Sequence, residues 1–197
     1  MKRIVLLVLL ISSTFLGYSQ DDGKGTIDAQ RPTLTESYSI IIPNMLQLEN
    51  GFDYFGISDT YGYGTFVRGS VSSRVELRAF TDYKQLNTVG AKFIVMEPAG
   101  SVLGIGASFV YNRDLINNSD DFRVAMTKDL KKVFVTYNFG YNGFIYNIAL
   151  LGVPLGNKFG YFIEYLNDPA MNRIHSGFTW IPKRDIQVDI NGGWMDT

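Results

Sequence analysis

The stretch MLQLENGFDYFG (residues 45–56) alternates apolar and polar side chains with a period of two. Leu46 and Leu48 share one parity, and Gln47 and Glu49 share the other. Successive side chains of an extended chain point to opposite faces, so this period predicts a β-strand with one apolar and one polar face. Two environments can accept the apolar face: the core of a soluble β-protein or the hydrocarbon of a lipid bilayer.

The same alternation recurs almost to the end of the chain. About eleven such patterns follow one another, with no helical pattern between them. Most span about ten residues, the length of a strand that crosses a bilayer at a tilt, whereas ordinary strands have about five or six. The composition, with 12 Tyr, 14 Phe and 20 Gly at a mean hydropathy of +0.01, also suits a β-rich chain.

The residues on the polar face of each strand favour the membrane alternative over the soluble one. A soluble β-sandwich or lipocalin-like barrel exposes its polar face to bulk water and carries Lys and Glu there freely. Here that parity is rich in Gly, Ser and Asn with a few charges of both signs, and aromatic residues gather near strand ends. Residues 45–197 therefore predict an all-β fold, an antiparallel transmembrane β-barrel. A soluble secreted β-barrel that binds an apolar ligand is the alternative.

The strand count predicts one further strand. Single-chain bacterial barrels have an even number of strands, so about eleven visible strands indicate about twelve natively. We expect the last strand to follow Thr197, and Tyr38–Ile42 is the other source of a twelfth strand. We also expect short periplasmic turns, among them EPAG (residues 97–100), to alternate with longer outer loops. NRDLINNSDD (residues 112–121) is the longest outer loop.

The first 44 residues predict an export signal and a connecting segment. Residues 1–20 read as a signal peptide, with a basic start at Lys2 and Arg3 and an apolar run too short for a spanning helix. Residues 21–44 form a polar lead-in, either periplasmic or tucked into the barrel mouth. We therefore expect a protein of the Gram-negative outer membrane, inserted by the barrel-assembly machinery, with the lipid bilayer as its partner.

Several function classes are excluded by composition. A net charge of −1 gives no basic surface for nucleic acid, and the absence of cysteine excludes disulfides and cysteine-based metal sites. His175 is the sole histidine, and no nucleophile-elbow motif accompanies it. We therefore expect no enzyme activity, no cofactor and no metal.

Strand parity assigns polar side chains to the barrel interior. One interpretation is a polar lumen that selects and passes a small solute. The other is a barrel filled by paired charges, with a structural or ligand-binding role. The candidate lumen-lining residues are Glu49, Asp53, Arg68, Glu76, Arg78, Asp82, Lys92, Arg123, Asn138, Glu164, His175, Gln187 and Asp189.

An ordered set of motifs resembles one family. RPTLTES, LQLENGFDY and VRGSVSSRVELR are followed by GAKF, YNFGY, FIEY, HSGFTW and IQVDINGG, and together they span residues 31–194. This order resembles the outer-membrane β-barrel family of meta-pathway phenol-degradation proteins, also labelled transporters. The resemblance implies a channel or transporter for small solutes, hydrophobic or aromatic ones among them. A Pro-Thr-Gly-like turn after GIGASFVY and a final strand closing on an aromatic residue, both expected of that family, are missing.

Overall fold

The computed structural model describes residues 33–55, 59–183 and 186–196, and these form one antiparallel sheet of eleven strands. Each strand pairs with its neighbours in the chain, so the sheet is a continuous meander. This confirms the predicted all-β antiparallel fold. The strands are β1 Leu46–Phe55, β2 Thr60–Ser70, β3 Val75–Thr81, β4 Leu86–Met96, β5 Ile105–Asp114, β6 Ser119–Asp129, β7 Phe134–Tyr141, β8 Ile145–Leu155, β9 Phe159–Asp168, β10 Met171–Lys183 and β11 Ile186–Asp196.

The sheet curls but does not close on itself. The order runs from β1 to β11, and within the described residues no ladder joins these two strands. The curl nevertheless brings Asp53 of β1 and Arg173 of β10 close enough for their charges to interact. This arrangement is consistent with a β-barrel, and the twelfth strand stays a prediction. In the described part of the chain, no helix is long and apolar enough to cross a membrane.

The two faces of the sheet are opposite in polarity. On β7, Thr136 and Asn138 are buried, whereas Val135, Tyr137 and Phe139 are 39–45% exposed. Large apolar side chains are likewise exposed along the other strands, and charged side chains are among the most deeply buried. A soluble protein shows the reverse, since it buries its large apolar residues and rarely buries an unpaired charge. The concave inner face is thus polar, and the convex outer face is apolar.

The connections do not show the expected difference in length. The strands β5 and β6 extend to Asp114 and Ser119, so only residues 115–118 of the predicted long loop lie outside strands. The connection between β4 and β5, residues 97–104, is longer, includes a turn of 3₁₀ helix at Pro98–Gly100, and lies at the end predicted to have short turns. The predicted loop asymmetry is therefore wrong. The polar ends of the long loop pair across the hairpin, as Arg113 does with Asp120 at 2.9 Å.

Part of the predicted lead-in lies inside the curled sheet. Residues 33–43, called the interior segment below, run across the inner face before the chain enters β1. Thr35, Glu36 and Ile41 of this segment are buried. The predicted signal peptide, residues 1–20, and residues 21–32 of the lead-in lie outside the described residues.

Candidate functional site

The interior segment crosses the inner face from β3 to β9. At one side, the Ile41 amide donates to Glu76 Oε2 at 3.0 Å. At the other side, the Thr35 amide donates to Glu164 Oε2 at 2.7 Å. Of the strands between these limits, β4, β5, β6 and β7 each contact residues between Thr35 and Ile41. The segment therefore spans the width of the interior.

Side chains on the inner face of the sheet, called the wall below, form hydrogen bonds with the backbone of the interior segment. The Glu36 amide donates to Asn138 Oδ1, and Asn138 Nδ2 donates back to the Glu36 carbonyl, both at 2.7 Å. Glu164 accepts from the amides of Leu34 and Thr35 and from the Thr35 hydroxyl, at 2.9, 2.7 and 2.6 Å. Buried backbone groups need such partners, and the segment makes no strand ladder with the sheet. The wall thus holds the segment by side chains rather than as a twelfth strand.

A glycine on β5 makes room for an aromatic ring of the segment. Tyr38 lies over Gly106, where any Cβ would overlap the ring. On the neighbouring strand β6, Thr127 pairs with Gly106 and accepts from the Tyr38 amide at 3.1 Å. Glycine in a strand commonly marks such a close approach. The Gly106 position therefore helps to fix where the segment crosses.

A chain of ion pairs occupies the inner face of β1 to β3. Arg68 donates to Glu49 at 3.0 Å and to Glu76 through two nitrogens, at 3.0 and 2.9 Å. Arg78 donates to the same Glu76 carboxylate at 2.7 Å. All four side chains are at most 1% exposed. Buried charges need this kind of mutual pairing, because each loses its hydration on burial.

Glu36 joins this chain from the interior segment. Its carboxylate accepts from Arg78 at 2.6 and 3.2 Å and from Lys92 of β4 at 3.2 Å. Burial by itself would raise the pKa of Glu36, but Arg78 and Lys92 hold the pKa well below its ordinary value. The ion cluster thus consists of three carboxylates and three cations: Glu36, Glu49, Glu76, Arg68, Arg78 and Lys92.

The sole histidine belongs to a second buried group. His175 Nδ1 lies 3.4 Å from Glu164 Oε1, and Nε2 lies 2.5 Å from Asn191 Oδ1. The Thr35 hydroxyl in this group donates to Glu164 rather than to His175. The group therefore lacks the order of nucleophile, base and orienting acid that a hydrolase triad needs. In the described ranges, no cluster of His, Asp and Glu has an arrangement that could hold a metal ion.

The structure places most, but not all, of the candidate lumen residues on the buried inner face. Arg123 is partly buried, and it donates to the Leu34 carbonyl at 2.6 Å. Asp53 is half-buried near the end of β1. Asp82 is partly buried beyond the end of β3, where it accepts from the backbone amides of Lys84 and Gln85. The buried residues are Glu49, Arg68, Glu76, Arg78, Lys92, Asn138, Glu164, His175, Gln187 and Asp189.

Sequence reasoning missed Thr35 and Glu36. Both lie in RPTLTES, which has no period of two and was assigned to the lead-in. Their partners, among them Arg78, Asn138 and Glu164, lie between 42 and 129 positions away in the chain. A buried glutamate in a polar lead-in leaves no local signal.

Cavities border the interior segment along its length, and one of about 500 Å³ lies beside residues 38–43. Two others, called the first and second cavities below, lie beside residues 33–37. The first, about 310 Å³, is mostly apolar and reaches Thr35 and Ser37; Phe134, Leu150 and Phe162 form part of its wall. The second, about 370 Å³, lies toward the β5–β6 connection and reaches Leu34. It is lined by polar groups that include Asp114, Asp120, Asp121 and Arg123. The interior is thus partly open beside the segment.

Comparison with known proteins adds no assignment. No protein-family model matches the chain, and neither a curated protein nor a solved structure matches it. The resemblance to the meta-pathway phenol-degradation family therefore stays a prediction from motifs.

Proposed function

We propose that this protein is an outer-membrane β-barrel that passes small solutes, with the interior segment closing the path. The observation that carries the proposal is the polarity of the two faces. Leu151, Phe139 and Tyr165, on three successive strands, are each exposed by 41–45% on the outer face, with buried polar residues behind them. Contiguous apolar surface of this kind needs a nonaqueous neighbour, and an apolar outer band around a polar interior is the pattern of outer-membrane barrels.

The solute path follows from the two cavities. The first cavity borders Thr35 and Ser37, and the second borders Leu34. Side chains of the sheet hold the backbone of Thr35, Glu36, Tyr38 and Ile41. Withdrawal of the segment would break these contacts and no ladder of the described sheet, and it would join the two cavities into one bore. The apolar lining of the first cavity, together with the motif resemblance, supports small hydrophobic or aromatic solutes.

A second candidate is a filled barrel with a structural or ligand-binding role. It is favoured by the pairing inside the barrel, where Glu36 and Glu164 satisfy both the wall and the segment. A filled barrel would keep the segment in place permanently. The two candidates share the membrane location and differ in conductance.

The first experiment fractionates cells that express the protein and compares boiled with unboiled samples of the outer-membrane fraction on a gel. A closed membrane barrel is expected to shift in migration on boiling. Recovery as a soluble protein without detergent would contradict the membrane location and support the soluble alternative. Planar-bilayer recordings then separate a channel, which opens at least transiently, from a filled barrel, which stays silent.

A further inference from the structure

The Glu36 carboxylate occupies a site that the wall forms without it. Arg78 approaches one side of the carboxylate with two guanidinium nitrogens, and Lys92 approaches from the neighbouring strand. A paired guanidinium contact of this kind matches the planar carboxylate group. The side chains of Arg78 and Lys92 are at most 1% exposed, so the site is shielded from bulk water.

The charge of the wall favours an anion at this position. Without Glu36, the ion cluster retains Arg68, Arg78 and Lys92 but only Glu49 and Glu76. One buried positive charge would then lack a partner, which is strongly unfavourable. Withdrawal of the interior segment would therefore leave this positive charge to be compensated by water or by another anion.

Two further observations indicate a ligand rather than a purely structural pair. Arg78 Nε is buried and has no hydrogen-bond partner, so the guanidinium keeps a spare donor beside the site. The residues on either side of Glu36, Thr35 and Ser37, line the first cavity. Glu36, Arg78 and Lys92 do not themselves line it, so a molecule in this cavity would meet the site only when the interior segment withdraws.

We propose that Arg78 and Lys92 form a carboxylate-binding site on the inner wall, which Glu36 fills in this conformation and a small organic monocarboxylate fills when the interior segment withdraws. The assignment of this class of solute rests on the proposed function, whereas the binding site itself does not. The apolar wall of the first cavity suits the organic part of such a solute, and the ion cluster suits its carboxylate.

The test is chemical rescue in the full-length chain. Glu36→Ala removes a group the size of acetate and leaves the unpaired positive charge. We expect acetate to restore the stability that this variant loses, whereas chloride at equal ionic strength does not. At about 100 mM acetate and a dissociation constant of about 10 mM, the ratio of folded to unfolded protein should rise about tenfold.

Two variants control the rescue. Glu36→Gln keeps the site filled and is expected to show no response to acetate. Glu97→Ala removes a half-exposed glutamate that lies 3.9 Å from Arg74, and it should respond no more than the unmodified protein. If Glu36→Ala does not refold in buffer, refolding yield is measured instead. Acetate must then restore the yield, and equal chloride must not.

Absence of any acetate-specific effect on Glu36→Ala, in stability or in yield, would overturn the binding site. That outcome would leave a heat-modifiable, membrane-inserted barrel unaffected, so it is distinct from failure of the proposed function. A rescued variant is next recorded in planar bilayers. Preference for acetate over potassium supports the solute class, and preference for potassium overturns it.

Discussion

Glu76 is the most connected carboxylate of the ion cluster, so its neutralisation gives a strong test of the interior. It accepts two hydrogen bonds from Arg68, one from Arg78 and one from the Ile41 amide, at 2.7–3.0 Å. Glu76→Gln keeps the shape but removes the charge, and its amide NH₂ faces arginine donors. Arg68 and Arg78 retain Glu49 and Glu36 as partners, yet the cluster gains one uncompensated positive charge.

Breaking a buried ion pair costs about 3–5 kcal/mol. Because both arginines keep one carboxylate, we expect the lower end, a loss of about 3 kcal/mol in the free energy of unfolding. The measurement is urea unfolding of the protein in lipid vesicles, followed by the fluorescence of Trp180 and Trp194. These residues lie on β10 and β11 and are exposed on the outer face, whereas the ion cluster lies on the inner face of β1 to β4.

The matched control for Glu76→Gln is Glu97→Gln. Glu97 is 51% exposed and lies 3.9 Å from Arg74, so its loss should change the free energy of unfolding by about 0–1 kcal/mol. If Glu76→Gln is as mild as this control, the reasoning is refuted, because the cluster would then be hydrated in a water-filled lumen.

Three further substitutions or conditions test other parts of the interior and the outer face. Gly106→Val should overlap the Tyr38 ring and lower the free energy of unfolding by about 1–3 kcal/mol, whereas Gly69→Ala, with only ordinary contact at its Cβ, should be nearly neutral in the same urea assay. Leu151→Arg places a charge on the outer face, so in vesicles we expect a loss of about 2–4 kcal/mol if the position lies near the bilayer midplane. Because the pKa of Glu36 is lowered in the folded protein, its contribution to stability is present above the ordinary value of 4.5 and is lost only as the pH falls through the lower folded value. Amide exchange of residues 33–43 should therefore stay slow as the pH is lowered from about 7 to about 5, after correction for intrinsic rates; rapid exchange there would show that the segment is not held by this ion pair.

The strands could be predicted because their signal is local. In β1 and β7, a period of two separates the faces within a few residues, and the direction of each side chain follows from parity. The alternation no longer predicts the direction of a side chain beyond the end of a strand. Asp82 continues the alternation of β3 in sequence, but the chain turns there through Tyr83, which has a left-handed φ of 65°. The Asp82 side chain therefore accepts hydrogen bonds from backbone amides of the turn.

The interior segment could not be placed from sequence, because its conformation depends on distant side chains. RPTLTES has neither strand period nor turn signal, and Asn138 and Glu164 hold its backbone from β7 and β9. The alternatives of an open and a filled lumen were both compatible with the alternating pattern, since the pattern describes only the wall. Loop length was misjudged for a related reason: the polar ends of residues 112–121 pair across a hairpin.

The central claim is that the apolar face meets lipid while the polar face encloses the interior segment. The chain has no cysteine, so single cysteines can carry a nitroxide label without further changes. In vesicles, labels at Val135, Tyr137 and Phe139 are expected to be accessible to oxygen and protected from a water-soluble nickel chelate. Labels at Thr136 and Asn138 are expected to be protected from both. Ready access of the nickel chelate to the first three positions would contradict the claim and place the outer face in water.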